Sequence, residues 1–228
     1  MADPDSKLRL TPDERAFRDV NRATYNAGRV REAYEQAVEF FRRNPGSLFG
    51  KYWYATMCGD YAEDASLPEG RRAELLVEAR RLIAEVYAHP DLDRWELASG
   101  ARNEYFWFHG LHQEQYHLGE ARVSAGEKRG YYSMCVGASC MAVKCVREQL
   151  GRDAARDWAA KAAAAFAQFE LLDPAWHNIN PFYARALAVL GDAPGALAAY
   201  RDMFRKQGVT ADEAAVASFR SEIAGLLP

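Results

Sequence analysis

The sequence lacks the features that mark several classes of protein. No stretch approaches the roughly 20 consecutive apolar residues of a membrane-spanning helix. The formal net charge is only -3, and arginine and glutamate are interspersed, so there is no bulk attraction to nucleic acid or to anionic lipid. The first ten residues have no apolar core of the kind found in signal peptides. These absences predict a cytoplasmic protein with no nucleic-acid partner and no membrane partner.

Cysteine is also scarce, and its spacing does not suit a zinc site. The chain has four cysteines, and none forms a CxxC pair. Cys135, Cys140 and Cys145 recur every five residues, which is about 140° per step on an α-helix, so they cannot converge on one ion from one helix. We interpret them as small buried side chains in a reduced compartment. No catalytic signature motif occurs elsewhere in the chain.

Residues 17–45 have the pattern of two helices joined by a turn. Close helix contact is allowed by the small residues Asn21, Ala33 and Ala37, and Gly28 breaks the chain between the two helices. The space between the helices is filled by the bulky residues Phe17, Phe40 and Phe41, and Pro45 ends the unit. This pattern resembles the tetratricopeptide repeat. The contact position recurs at Ala55, 34 residues after Asn21. The steps of four, three and five residues that lead to Pro45 recur at Ala162, Phe166, Phe169 and Pro174.

The resemblance implies an all-α protein: a right-handed solenoid of about five helical hairpins with a C-terminal capping helix. We expect a frayed segment over residues 1–11 and a single repeat domain over 12–228, closed by the cap at 211–228. An insertion of about 12 residues interrupts the period, with a loop over 64–70. The aromatic-rich middle, 92–128, is irregular, and we predict one long helix there that reaches about Leu118 and ends at Gly119. From Tyr131, an apolar segment predicts a central buried helix.

The resemblance also implies a set of partner-binding residues. In this family the first helices of the repeats form a groove, and the residue after the small contact position points into it, which here implies Arg22, Thr56 and Arg185. Further residues lie on the same helix faces: Arg18 and Tyr25 beside Arg22, and Tyr52 beside Thr56. Guanidinium groups pair bidentately with carboxylates, so an acidic or C-terminal peptide segment would suit this surface.

A histidine-rich run is the second candidate site. Residues 109–120 contain three of the five histidines, and on one helix His109, His112, Tyr116 and Glu120 would share a face. Of these, His109, His112 and Glu120 are the candidates for a metal site. A di-iron bundle would need a second Glu-x-x-His pair, which the sequence lacks. We therefore predict no metal and no cofactor, and interpret the run as groove lining or inter-helix packing.

The sequence leaves two functions open. The first is a non-enzymatic scaffold that binds a protein or peptide on the concave face of a helical repeat. The alternative is a small helical enzyme or small-molecule binder, whose enclosed pocket would be lined by His109, His112, Tyr116 and Glu120, with the ring of Trp107 as an apolar wall.

Overall fold

The computed structural model describes residues 8–64 and 66–228, and this part of the chain is mostly helical. It contains eleven α-helices and one short 3-10 helix. The only β-type contact in those residues is an isolated bridge between Leu8 and Trp95. The prediction of an all-α protein is confirmed. None of the described helices is both long enough and apolar enough to cross a membrane.

Contacts between helices divide the chain into two compact units. Unit 1 ends at Gly110, and unit 2 is Leu111–Pro228. The helices of unit 1 are α1 (Pro12–Asn26), α2 (Val30–Arg43), α3 (Leu48–Ala62), α4 (Glu69–Tyr87) and α5 (Ala98–Phe108), with the 3-10 helix Leu92–Arg94 before α5. The helices of unit 2 are α6 (His112–Ser124), α7 (Gly130–Arg147), α8 (Arg152–Leu172), α9 (Asn180–Val189), α10 (Ala193–Gln207) and α11 (Glu213–Ala224). Within each unit, consecutive helices pack against each other.

Local signals set the start and end of the first helices. At the start of α1, Glu14 N donates to Thr11 Oγ1 at 3.2 Å and Thr11 N donates to Glu14 Oε2 at 2.9 Å, which completes a capping box. Gly28 takes a left-handed conformation, φ 77°, in the turn between α1 and α2. Ser47 caps α3 by accepting a hydrogen bond from Gly50 N at 2.8 Å.

The segment before α1 is fixed to the segment before α5. Leu8 N donates to the Arg94 carbonyl at 2.8 Å, and Glu96 N donates to the Leu8 carbonyl at 3.0 Å. Leu10 is buried, and its N–H donates to Glu96 Oε1 at 2.7 Å. Residues 8–11 are therefore held in place, whereas the sequence led us to expect fraying through residue 11. Residues 1–7 lie outside the described part of the chain, as does residue 65 of the predicted loop.

A buried asparagine joins the first three helices of unit 1. Asn21 is fully buried, and its Nδ2 donates to the Ala33 carbonyl at 2.7 Å and to Gln36 Oε1 at 3.0 Å. Its Oδ1 accepts a hydrogen bond from Trp53 Nε1 at 2.7 Å. Ala33 and Ala55, two of the small residues predicted at helix contacts, are also fully buried. Asn21 stands where the repeat pattern predicts a small residue, and its side-chain amide forms hydrogen bonds to α2 and α3.

The predicted long helix in the middle of the chain is wrong. Helix α5 ends at Phe108, and Gly110 has a left-handed φ of 68°, so His109 caps one helix and His112 begins the next. The predicted end at Gly119 is also wrong, because α6 continues through it to Ser124. Gly119 instead permits close packing, since a Cβ there would lie 2.6 Å from the Gly130 carbonyl oxygen. A Cβ at Gly137 of α7 would lie 2.5 Å from the His112 carbonyl oxygen.

Helix α7 is the centre of unit 2. It packs against α6, α8 and α9, and ten of its residues are buried. Small residues dominate the contacts: Ala138, Ala142, Ala159 and Ala162 are fully buried. This agrees with the prediction of a central apolar helix from Tyr131, with the observed start one residue earlier at Gly130.

Candidate functional site

Three alternate helices of unit 1 contribute polar side chains to one surface, which we call the α1/α3/α5 face. Tyr52 of α3 is its centre. Burial raises the pKa of the Tyr52 hydroxyl, the charge of Glu104 on α5 raises it further, and the charge of Arg22 on α1 opposes the rise. The Tyr52 hydroxyl is therefore affected by a charge on α1 and by a charge on α5.

The residues of unit 1 that the resemblance implies for partner binding differ in their exposure and in their hydrogen-bond partners. Arg22 is exposed and Tyr25 is half-buried. Arg18 pairs with the adjacent Asp19, with its NH2 2.9 Å from Oδ1. The Thr56 hydroxyl donates to the Tyr52 carbonyl at 3.1 Å, so its hydrogen-bonding capacity is partly used within α3.

A glycine on α5 lets the Tyr52 side chain reach across the face. A Cβ at Gly100 would lie 2.9 Å from the Tyr52 hydroxyl oxygen, closer than real Cβ contacts. The Tyr52 ring also packs edge-on against Trp95, with ring centroids 5.6 Å apart. Gly100 and Glu104 are one helical turn apart on α5, so the contact with Tyr52 brings Glu104 onto the same side.

Two carboxyl groups on this face, Asp60 and Glu104, were not predicted from the sequence. Burial raises the pKa of Asp60 well above its ordinary value, and the charges of Glu104 and Glu63 add to that rise. Burial raises the pKa of Glu104 to about 7, against a lowering by its hydrogen bond with Asn103. Both residues are half-buried, and within the described chain neither carboxyl group forms an ion pair. We call Asp60 and Glu104 the groove carboxyls.

One groove carboxyl was within reach of sequence reasoning and the other was not. Tyr52, Thr56 and Asp60 are spaced by four residues, so extending the predicted face of α3 by one turn leads to Asp60. Glu104 carried no such signal, because the orientation of α5 depends on where that helix begins and ends, and the predicted long helix placed neither end correctly.

An open cavity of about 790 Å³ adjoins the groove carboxyl of α3. It is lined by the turn between α1 and α2, the start of α2 and the end of α3. Its charged lining comprises five carboxyl groups and two guanidinium groups: Glu32, Glu35, Asp60, Glu63, Asp64, Arg29 and Arg31. Both guanidinium groups are paired on α2, with Arg29 NH1 2.9 Å from Glu32 Oε2 and Arg31 Nε 2.9 Å from Glu35 Oε1. The cavity therefore carries an excess of negative charge.

The histidine-rich run does not lie on one helix face. His109 is exposed at the end of α5 in unit 1, where its ring centroid lies 4.4 Å from that of Tyr105. His112 begins α6 in unit 2 and is half-buried, and burial lowers its pKa. The two histidines would share a face only on an unbroken helix, and Gly110 interrupts the helix between them.

The remaining residues of that run make contacts within unit 2. Tyr116 is buried and packs edge-on against Trp158 with centroids 5.3 Å apart. Burial raises the pKa of Tyr116, and Glu120 raises it further. Glu120 Oε2 also lies 2.8 Å from Nδ1 of His117, which was not among the predicted site residues. In residues 8–64 and 66–228, no group of three His, Cys, Asp or Glu side chains is placed to hold a metal ion.

Two other predicted residues lie in packed surroundings. Trp107 is half-buried and packs against the core of unit 1. Arg185 of α9 makes a bidentate pair with Glu222 of α11, with Nε 2.8 Å from Oε1 and NH2 3.2 Å from Oε2. Arg147 of α7 approaches the same carboxylate at 3.7 Å. Helix α11 therefore engages the predicted groove position of unit 2.

Comparisons of the chain with known protein families, with characterised proteins and with solved structures each give no match.

Proposed function

We propose that this protein is a non-enzymatic scaffold of the tetratricopeptide-like type, which binds an extended segment of a protein or peptide partner on the α1/α3/α5 face. In this proposal the helices form about five hairpins of a right-handed solenoid, and α11 is the capping helix. The observation that carries it is the close contact of Tyr52 of α3 with Gly100 of α5, at a hydroxyl group on which the charges of Arg22 and Glu104 act. Alternate helices of a repeat array form such a surface because each repeat contributes the same face in turn.

The pairing pattern supports unit 1 as the binding region. In unit 2 the corresponding cation, Arg185, is held by Glu222. On the α1/α3/α5 face, the groove carboxyls form no ion pair within the described residues. Side chains held by packed helices lose little conformational freedom when a ligand binds, which favours a recognition surface.

The alternative, an enzyme or small-molecule site at the histidine-rich run, has weaker support. His109 and His112 belong to separate helices and to separate compact units. Glu120 is engaged with His117, and Tyr116 is packed against Trp158. Such contacts are those of structural residues, so we place this function second.

Peptide display tests the proposal. A random peptide library would be selected on the wild-type protein, and enriched peptides would be measured against Thr56→Arg, which adds a long charged side chain to the face. Val77→Arg is the matched control, because Val77 of α4 is 64% exposed and lies in another helix. We expect at least a tenfold loss of affinity for Thr56→Arg and none for Val77→Arg.

Equal binding to both variants would contradict the proposal. A second result would also contradict the proposal: no peptide is enriched, while the protein, shown by circular dichroism to be folded, retains a small molecule through purification. That second result would favour the alternative function.

A further inference from the structure

We propose that Glu222 is a built-in competitor for a carboxylate of the partner: it occupies a site formed by Arg147 and Arg185, and an acidic side chain of the partner exchanges with it. The inference rests on the proposed function, because it concerns a scaffold that binds a protein or peptide segment. It adds a second point of contact, in unit 2, and gives the reason why that contact is closed in the free protein.

The two arginines have the geometry of a carboxylate site. Arg185 of α9 donates to both oxygens of Glu222, with Nε 2.8 Å from Oε1 and NH2 3.2 Å from Oε2. The NH2 group of Arg147 on α7 lies 3.7 Å from Oε1 of the same carboxylate. A bidentate guanidinium pair gives a carboxylate both binding energy and a fixed orientation. Side chains of α7, α9 and α11 thus meet at one carboxylate group, which we take as the stand-in for a ligand.

Aromatic packing holds the guanidinium group of Arg185 in place. Its Cζ atom lies 5.9 Å from the ring centre of Phe182 on α9 and 5.8 Å from that of Phe219 on α11. Aromatic faces attract guanidinium groups. Phe219 is itself buried and stacks on Tyr200 of α10, with ring centroids 4.1 Å apart. The orientation of Arg185 is therefore supported by contacts that remain when the Glu222 carboxylate leaves.

Glu222 can leave the site without movement of α11. The helix is fixed by its buried side chains, Val216, Phe219 and Ile223. The side chain of Glu222 is 30% exposed and that of Arg147 is 62% exposed, so both are in contact with solvent. Partly exposed ion pairs contribute little net stability, because water solvates the separated charges. Rotation of the Glu222 side chain into solvent would therefore open the site at small cost.

The attachment of Glu222 to the protein makes the site selective. A group tethered beside its site acts as if it were present at about millimolar concentration or more, so a free carboxylate competes poorly with it. A partner that is held by other contacts on the scaffold presents its own carboxylate at a comparable effective concentration and can displace Glu222. Isolated acidic groups are rejected, and a partner that binds at two points is accepted.

The test uses a capped tripeptide as the probe. Ac-Ala-Glu-Ala-amide would be titrated into the 15N-labelled wild type and into Glu222→Gln, which removes the charge and keeps the shape of the side chain; Ac-Ala-Gln-Ala-amide is the neutral counterpart. We expect at least fivefold higher affinity of the acidic probe for Glu222→Gln, with amide shifts in α7, α9 and α11, and no shifts from the neutral probe. The matched control is Glu213→Gln, which removes another carboxylate of α11, one that lies 2.9 Å from Arg201, and should leave the affinity unchanged.

Two further measurements locate the site. Arg185→Gln, added to Glu222→Gln, should reduce the affinity for the acidic probe at least tenfold, with folding of each variant checked by circular dichroism. The wild type decides the matter if Glu222→Gln does not fold. Its Arg185 Nε–H resonance should move at high concentrations of the acidic probe and stay fixed with the neutral probe, and an unmoved resonance would overturn the proposal.

The outcomes separate the two proposals. The competitor is disproved if Glu222→Gln binds the acidic probe no better than the wild type, if Glu213→Gln gains as much, or if Arg185→Gln leaves binding intact. The scaffold function still stands in each case where displayed peptides lose affinity for Thr56→Arg. If Glu222→Gln gains affinity as expected but Thr56→Arg and the wild type bind displayed peptides equally, the carboxylate site stands and the scaffold function falls.

Discussion

Glu104→Gln should change how the stability of the protein depends on pH. The folded protein raises the pKa of Glu104 from its ordinary 4.5 to about 7. Between these two values the folded state holds a proton that the unfolded state has released, so the free energy of unfolding falls as pH rises. A difference of about 2.5 pKa units, at about 1.4 kcal/mol per unit, corresponds to about 3 kcal/mol, and partial exposure of the side chain reduces this to about 2 kcal/mol.

Glutamine keeps the shape of the protonated carboxyl group and cannot ionise. We therefore expect Glu104→Gln to match the wild type near pH 4 and to be more stable by about 2 kcal/mol at pH 8. Urea unfolding followed by circular dichroism across this range measures the difference. Hydrogen exchange of the α3 and α5 amides would show whether the gain lies in unit 1.

The control is Glu69→Gln, which removes an exposed carboxylate at the start of α4. It should leave the pH dependence of the wild type nearly unchanged. The reasoning is refuted if Glu104→Gln follows the wild-type curve at all pH values, or if it is destabilised at pH 8. Either result would mean that water reaches the carboxyl group freely or that a cation already pairs with it.

Two further predictions concern the packing of the helices. Asn21→Ala should destabilise the protein by about 2 to 4 kcal/mol in urea unfolding, because it removes the side-chain partner of the half-buried Trp53 N–H and the hydrogen bonds from a fully buried amide to Ala33 and Gln36. Asn26→Ala, at an exposed position of the same helix, should cost less than about 1 kcal/mol. Gly137→Ala should lower the melting temperature by several degrees, because its Cβ would overlap the backbone of α6, while Gly70→Ala, which meets no atom within 4 Å, should not; an unchanged melting temperature for Gly137→Ala would show that α6 and α7 can separate without loss.

Turns that depend on the conformational preference of one residue could be predicted from the sequence alone. The turn at Gly28 follows from the backbone freedom of glycine, and it was predicted correctly. Glycine within a helix was ambiguous, because the residue that ends one helix can also allow two helices to touch. Gly110 and Gly119 illustrate the two cases, and the break was predicted at the wrong one.

The candidate site was predicted only in part for a related reason. Helical spacing puts Tyr52 on the same face of α3 as Thr56, and the resemblance to the repeat family implied that Arg22 of α1 lies beside them. The groove carboxyls owe their properties to burial between helices, which composition and spacing do not reveal. Glutamate and aspartate are common on exposed helix faces, and nothing in their neighbours in sequence distinguished Asp60 or Glu104.

The hydrogen bonds of Leu8 bear on how far the α1/α3/α5 face can stretch. Arrays of helical hairpins commonly behave as springs, because each hairpin touches only its neighbours. Here the backbone before α1 is tied to Arg94 and Glu96, just before α5, so the two outer helices of the face are linked directly as well as through α2, α3 and α4. Such a crosslink opposes any increase in the distance between α1 and α5. A ligand would then meet a surface of nearly constant width, and selection among ligands would depend on their fit to that width.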